Sequence, residues 1–156
     1  MSNVVRPAQF PQDATAVLQI WREYVASSSV SLDYQDYEAE FADLPGKYAL
    51  PEGRLLIAVG DGSIAGCVAF RKVSDSICEM KRLYVRPSAR GTGLGRQLVE
   101  QLLAEAKEAG YEEMRLDVLE EFTQAYKLYA ELGFVPADPV SFNPVPGTSF
   151  LGLSLR

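Results

Sequence analysis

The residues of this chain whose types and spacing could do chemistry gather in RGTGLGRQ, residues 90 to 97, where Gly91, Gly93 and Gly95 alternate between Arg90 and Arg96. Glycine has no Cβ, so its backbone comes close to a ligand and adopts angles that other residues avoid. An anion is the natural ligand. The loop leads into a long amphipathic run, and at a helix start the first amides have no internal partner and carry the positive end of the helix dipole, which favours phosphate. The neighbouring side chains agree: Lys81, Arg82, Arg86, Arg90 and Arg96 form a window free of acids between Glu79 and Glu100, in a chain of formal net charge −6. An acidic protein with one basic window around a glycine turn suits a small polyanion and not general nucleic-acid binding.

The elements that must hold this loop follow from periodicity. Downstream, Leu94, Leu98, Val99, Leu102, Leu103 and Ala106 fall on one helical face, and Gly110 ends the run. Upstream, CEMKRLYV (78 to 85) is short, rich in strand formers and closed by Arg86-Pro87. Met80, Leu83 and Val85 read as inward residues, but 80 and 83 differ in parity, so strict alternation fails around Lys81 and Arg82. A β-bulge restores it and leaves amides beside the glycine turn that a ligand carbonyl can use. Earlier, a strand at 4 to 6 precedes a helix capped by Asp13, with Val17, Leu18, Trp21, Tyr24 and Val25 inward. A second helix after Asp33 puts Tyr37, Phe41 and Leu44 on one stripe and Asp36, Glu40 and Asp43 on a solvated one. Strands at 54–59, 64–72 and 77–86, with a turn at Asp61-Gly62, make an antiparallel meander. A strand at 114–119, a helix at 123–132 stopped by Gly133, and strands near Phe134 and at 148–155 complete the order β-α-α-β-β-β-α-β-α-β-β. The fold class is α+β, with a mixed, mainly antiparallel sheet, a bulged central strand and helices on both faces.

Composition bounds the rest. A chain of 156 residues, 47% hydrophobic, without repeat or linker, is expected to form one domain over 1–156. No apolar run approaches the ~20 residues needed to span a bilayer, and the polar start MSNVVRPAQ has no signal-peptide core, so a cytoplasmic protein is expected. Cys67 and Cys78 read as free buried thiols on adjacent strands, out of register for a disulfide. With no histidine in the chain, no metal site is expected.

At this point the residues resemble the GCN5-related N-acetyltransferase (GNAT) family. Arg90, Gly93 and Gly95 match its Arg/Gln-x-x-Gly-x-Gly/Ala loop, and the likeness extends through LYVRP, the long helix, MRLDV and AYKLYAELGF, with an element order covering essentially the whole chain. Two other glycine loops fit poorly. A P-loop needs a Gly-Lys-Ser/Thr ending, and a Rossmann turn needs G-x-G-x-x-G between parallel strands. The resemblance implies acetyl-coenzyme A as cosubstrate, bound by Arg90, Gly91, Thr92, Gly93, Leu94, Gly95 and Arg96 at the pyrophosphate and by Leu83, Tyr84 and Val85 along the pantetheine arm, with Tyr126 packing against the coenzyme. No metal is implied.

Acetyl transfer to an amine needs a neutral amine, a donor for the developing oxyanion and a proton for the departing thiolate. The resemblance points to Glu79 as the proton acceptor, directly or through water, and to Tyr129, four residues before Gly133, as the acid toward sulfur, with Tyr126 in reserve. The Leu83 amide would serve the oxyanion. The family asparagine seven residues before that tyrosine is Phe122 here, which puts one pantetheine contact in doubt. A covalent route through Cys67 or Cys78 lacks an activating histidine. The acceptor site is expected between residues 31–48 and the proline-rich loop 138–147, where Phe142 and Asn143 are on offer. The function implied is an acetyl-coenzyme A-dependent N-acetyltransferase using a small primary amine in a ternary complex. The alternative is a non-catalytic coenzyme-binding or interaction module on the same fold. No nucleic-acid or membrane partner is expected, and a homodimer is compatible with the pattern.

Overall fold

The computed structural model describes residues 3–28 and 37–156. Seven strands form one sheet in the order β1-β2-β3-β4-β5-β7-β6: β1 (Val4–Pro7), β2 (Arg54–Gly60), β3 (Ser63–Lys72), β4 (Ile77–Val85), β5 (Glu113–Val118), β6 (Val135–Pro136) and β7 (Ser149–Ser154). The β2–β3 hairpin turns at Asp61-Gly62, both at positive φ (54° and 79°), the geometry that a two-residue hairpin loop requires. RLLIAV reads as a continuous apolar run because β2 is buried on both faces: Leu56 and Ala58 join one core, and Leu55 and Ile57 the other.

Helices α1 (Ala14–Ser27) and α2 (Tyr37–Ala42) cover one face, and α3 (Leu94–Glu108) and α4 (Thr123–Glu131) the other. The α3 face buries Leu94, Leu98, Val99, Leu102 and Ala106, and each of its fully buried leucines stabilises by roughly 1.5–3 kcal/mol. The α1 face centres on Trp21, whose ring meets Phe41 at 5.7 Å and Tyr48 at 5.4 Å. Ile20 joins Val17 and Trp21 as a fully buried residue that the expected inner face omitted.

The bulge in β4 is present. Cys67 faces Tyr84 and Ala69 faces Lys81, two steps on β3 against three on β4, and Arg82 takes φ 63°. Cys78 and Met80 therefore share the α3-side core with Leu83 and Val85, while Tyr84 turns to the α1 side. Parallel pairing of β4 with β5 covers only Ile77–Glu79 against Glu113–Arg115, and beyond it the two strands have no paired residues.

Two local expectations need correction. Asp13 stands at the α1 N-cap position, but its carboxylate turns back to Arg6 (2.8 Å) and the Gln9 amide (2.7 Å), because a guanidinium offers a charged, bidentate partner. Glu40 is not on a solvated stripe: its side chain is 8% exposed and accepts hydrogen bonds from Arg82 (2.9 Å) and Tyr48 (2.9 Å). Asp43 is exposed as expected, and Asp33 and Asp36 lie outside the described residues.

Candidate active site

Where β4 and β5 cease to pair, a cavity of about 660 Å³ opens, lined by Met80 to Val85 of β4, Leu116 to Val118 of β5, the loop ahead of α3, the start of α4, and Tyr24 and Ser27 of α1. It thus draws walls from helices on both faces of the sheet.

The glycine loop frames one end. Gly91 and Gly93 hold φ 79° and 83°, and a Cβ added to either would meet nothing within 4 Å, so the loop looks onto open space. Gly93 is the α3 N-cap, which leaves the first amides of the helix without intrahelical partners. Gly95 is different: it is helical, and a Cβ there would touch Val85 and Leu128 at 3.8 Å, so it lets the helix start sit low against strand and α4. Arg90 lines the cavity with its Nε donating to the Val85 carbonyl at 3.0 Å and its guanidinium over the Tyr84 ring. These donors and this space fit a pyrophosphate.

Of the residues expected at the coenzyme, Leu83, Tyr84, Val85, Arg90, Gly91, Gly93, Leu94 and Gly95 line the cavity, and Thr92, Arg96 and Tyr126 do not. Thr92 closes its own turn by donating to the Ala89 carbonyl at 2.6 Å. Arg96 is paired with Glu131 at 2.8 Å, and Tyr126 is exposed. Arg82 and Leu83 fall between the two paired segments of β4, which sets the Leu83 amide at the bulge beside the cavity. Phe122 and Gln124 line the α4 end, so a ring and an amide side chain stand where the resemblance calls for asparagine.

Tyr129 lines the cavity at 5% exposure, its ring 5.6 Å from that of Phe134. Its hydroxyl has no hydrogen-bond partner among the described residues, and burial, with Tyr24 and Asp117 nearby, pushes its pKa well above the ordinary tyrosine value. Glu79 is not in the cavity wall. At 1% exposure it takes Arg71 on Oε1 (2.8 Å) and the Ser141 hydroxyl on Oε2 (2.8 Å), so both its oxygens already accept hydrogen bonds. Two carboxylates line the cavity: Glu121, which is exposed and accepts from the Ser28 hydroxyl, and the less exposed Asp117, which sequence reading overlooked. Alternation in MRLDV held the signal: Met114, Leu116 and Val118 point into the α3-side core, which sends Asp117 to the α1 side.

On that side the loop between β6 and β7 is clasped to the sheet. Asn143 donates to Asp117 Oδ2 at 2.9 Å while its own Oδ1 accepts from the Val145 amide at 3.0 Å, so it organises the loop and is not free to offer its amide. Of the described acids between 37 and 48, Glu38 pairs with Arg22 and Glu40 with Arg82 and Lys47, while Asp43 is exposed. Burial pushes both thiols, Cys67 and Cys78, up to about 12, which leaves them unreactive at neutral pH. Among the described residues there is no cluster of metal-ligating side chains and no helix long and apolar enough to cross a membrane.

The profile of the Acetyltransferase (GNAT) family matches residues 16–134. An uncharacterized N-acetyltransferase of Schizosaccharomyces pombe is 34% identical, over 99% of this chain and 96% of its own length. Among solved structures, a GNAT-family acetyltransferase of Staphylococcus aureus superposes with a TM-score of 0.81 at 15% identity, covering 99% of this chain and all of the other. The PaiA N-acetyltransferase of Thermoplasma acidophilum, in complex with coenzyme A, superposes at 0.76 with 18% identity and 99% coverage of both chains.

Proposed function

The chain belongs to the acetyltransferase (GNAT) family, and on that premise we propose that it moves an acetyl group from acetyl-coenzyme A to the primary amine of a small molecule, by direct transfer while both are bound. The observation that carries this is the cavity through the parted strands, with the glycine loop at the α3 side and Tyr24, Ser27 and Asp117 at the α1 side. The coenzyme enters from the first side and the amine from the second, so their reacting atoms meet beside the β4 bulge.

The loop amides and the α3 N-terminus hold the pyrophosphate, and Leu83 to Val85 run alongside the pantetheine arm, with Gln124 offering the side-chain amide that Phe122 lacks. An alkyl amine of pKa near ~10.4 arrives as ammonium and must lose a proton before it can attack. Of the two carboxylates that line the cavity, Glu121 is exposed at its rim, and Asp117, on β5 where the strands part, takes the proton directly or through water. Glu79, held by Arg71 and Ser141, acts from behind as an anchor of the adjacent charges. The nitrogen then bonds to the thioester carbon, the oxyanion that develops takes the Leu83 amide, and the carbon–sulfur bond breaks to release thiolate.

Tyr129 meets that thiolate. A tyrosine of ordinary pKa ~10 facing a thiol of ~8.5 already makes full proton transfer uphill by about 2 kcal/mol, and burial widens the gap. Its hydroxyl therefore serves as a hydrogen-bond donor to the departing sulfur, which takes its proton afterwards from water or from the amine. The test is to incubate amine pools with acetyl-coenzyme A, follow free thiol and identify acetylated products by mass. Thiol release matched by an acetylated amine is expected, and tight coenzyme binding without transfer to any amine would overturn the reading.

A further inference from the structure

The acceptor side of the cavity holds two opposite charges that are not paired with each other. Extending the β4–β5 register beyond Glu79 opposite Arg115 sets Lys81 opposite Asp117, at the point where the strands part. Both line the cavity, and the ion pairs among the described residues include none between them. Asp117 Oδ2 takes Asn143, and Oδ1 has no hydrogen bond among the described residues. Lys81 is 11% exposed, its Nζ makes no hydrogen bond among the described residues, and its one ion-pair contact there is Glu79 Oε1 at 3.9 Å. That oxygen is already held by Arg71 through both Nε (2.9 Å) and Nη2 (2.8 Å). The nearby cation Arg82 is matched by Glu40. Lys81 is thus the cation of this wall that its own protein leaves without a strong acceptor, on a side chain mostly buried at the cavity's edge, and a buried ammonium needs one. Burial lowers its pKa, Glu79 and Asp117 oppose that shift and Arg82 and Lys47 add to it, so an incoming anion would favour its charged form.

We propose that the acceptor is an amino carboxylate, its carboxylate held by Lys81 and its amine presented toward Asp117, so that the substrate class is amino acids and their close analogues. This rests on the acetyl-transfer reading above. A polyamine or a neutral amine would leave Lys81 with only its 3.9 Å contact to Glu79, and a second cation on the substrate would face it.

The experiment compares the twenty L-amino acids with their carboxamides and with spermidine as acceptors, reading thiol release and product mass. The wild type is expected to favour carboxylates by ~10-fold or more in kcat/KM. K81M should reduce that ratio at least ~10-fold, mainly through KM, and K81R should restore part of it, while coenzyme affinity and thermal midpoint report that the variants are folded. Equal use of carboxamides or spermidine by the wild type, or an unchanged ratio in K81M, overturns the inference and leaves acetyl transfer standing. Should no acceptor turn over, a thermal-shift panel of the twenty N-acetyl amino acids and their carboxamides on the coenzyme A-saturated protein decides: a shift confined to carboxylates, and lost in K81M, supports the inference, and none overturns it.

Discussion

The two sides of the sheet build their halves of the cavity from different materials. The α3 side uses backbone: a loop with Gly91 and Gly93 at positive φ, a helix start with free amides, and a bulged strand. The α1 side uses side-chain charge: Arg82 at 1% exposure against Glu40, Arg71 against Glu79, and Asn143 against Asp117. A backbone site tolerates the loss of side chains around it and fails when a Cβ intrudes. A charged site is tolerant of size and fails when one partner is deleted, because the other is then left buried and alone.

The largest expected effect is on the charged side. Replacing Glu40 with alanine removes the carboxylate that Arg82 donates to at 2.9 Å, and stability measured by denaturant unfolding should fall by about 3–5 kcal/mol. A loss under ~1 kcal/mol would mean that the other contacts of Arg82, among them the rings of Trp21 and Tyr24, each 5.8 Å from its guanidinium carbon, suffice, and would erase the contrast. The same pair shapes acid sensitivity. Burial alone would raise the Glu40 pKa, but Arg82 and Lys47 outweigh it and hold it below 4.5. Because the folded value is the lower one, the contribution is complete above the unfolded pKa and is lost as pH falls through the folded one, so E40Q should flatten the acid limb of the stability curve.

Next comes Tyr129. Its hydroxyl has no hydrogen-bond partner among the described residues, so Y129F should leave stability unchanged and lower kcat by roughly 10²-fold, with coenzyme affinity within a few fold. Since burial lifts its pKa, the wild type should show no activity loss from Tyr129 ionisation below pH ~10, the ordinary tyrosine value. Full turnover in Y129F would assign it to the core alone.

On the backbone side, G93V should weaken coenzyme binding, read by calorimetry, by at least ~10-fold, or about 1.4 kcal/mol. G62V sharpens the comparison: it carries the same penalty of a side chain at positive φ, 79°, and equally open surroundings, but lies in the β2–β3 turn. It should lose stability and keep affinity. If both glycines behave alike, the loop is only a turn. The smallest effect is expected from R96Q. Arg96 is half-buried and paired with Glu131 and Glu100 outside the cavity wall, so coenzyme affinity should change less than ~3-fold and stability by under ~1 kcal/mol.

The same contrast separates what could be read from the chain. The backbone half was legible: the α3 face from Leu94 to Ala106, the Gly110 stop, the Asp61-Gly62 turn, and even the β4 bulge, which showed as a parity change between Met80 and Leu83. Each depends on steric limits and periods that operate within a few residues. The charged half was not. Glu40 fell on a stripe that reads as solvated and is buried against Arg82, and Glu79 stood where the resemblance expects a base and is held by Arg71 and Ser141 outside the cavity wall.

What the amino-acid order determined by itself is therefore the set of elements, the bulge and the glycine loop, because local backbone sterics and hydrophobic period are carried by adjacent residues. Only the tertiary structure decided which charges meet. Glu40 reaches Arg82 across 42 positions and Ser141 reaches Glu79 across 62, through β4's bulge and the clasp of the last loop. Whether a carboxylate is a base, an anchor or a substrate contact depends on its partners and its access to the cavity, and both are set by strand register and the parting of β4 from β5, which no short stretch of sequence encodes.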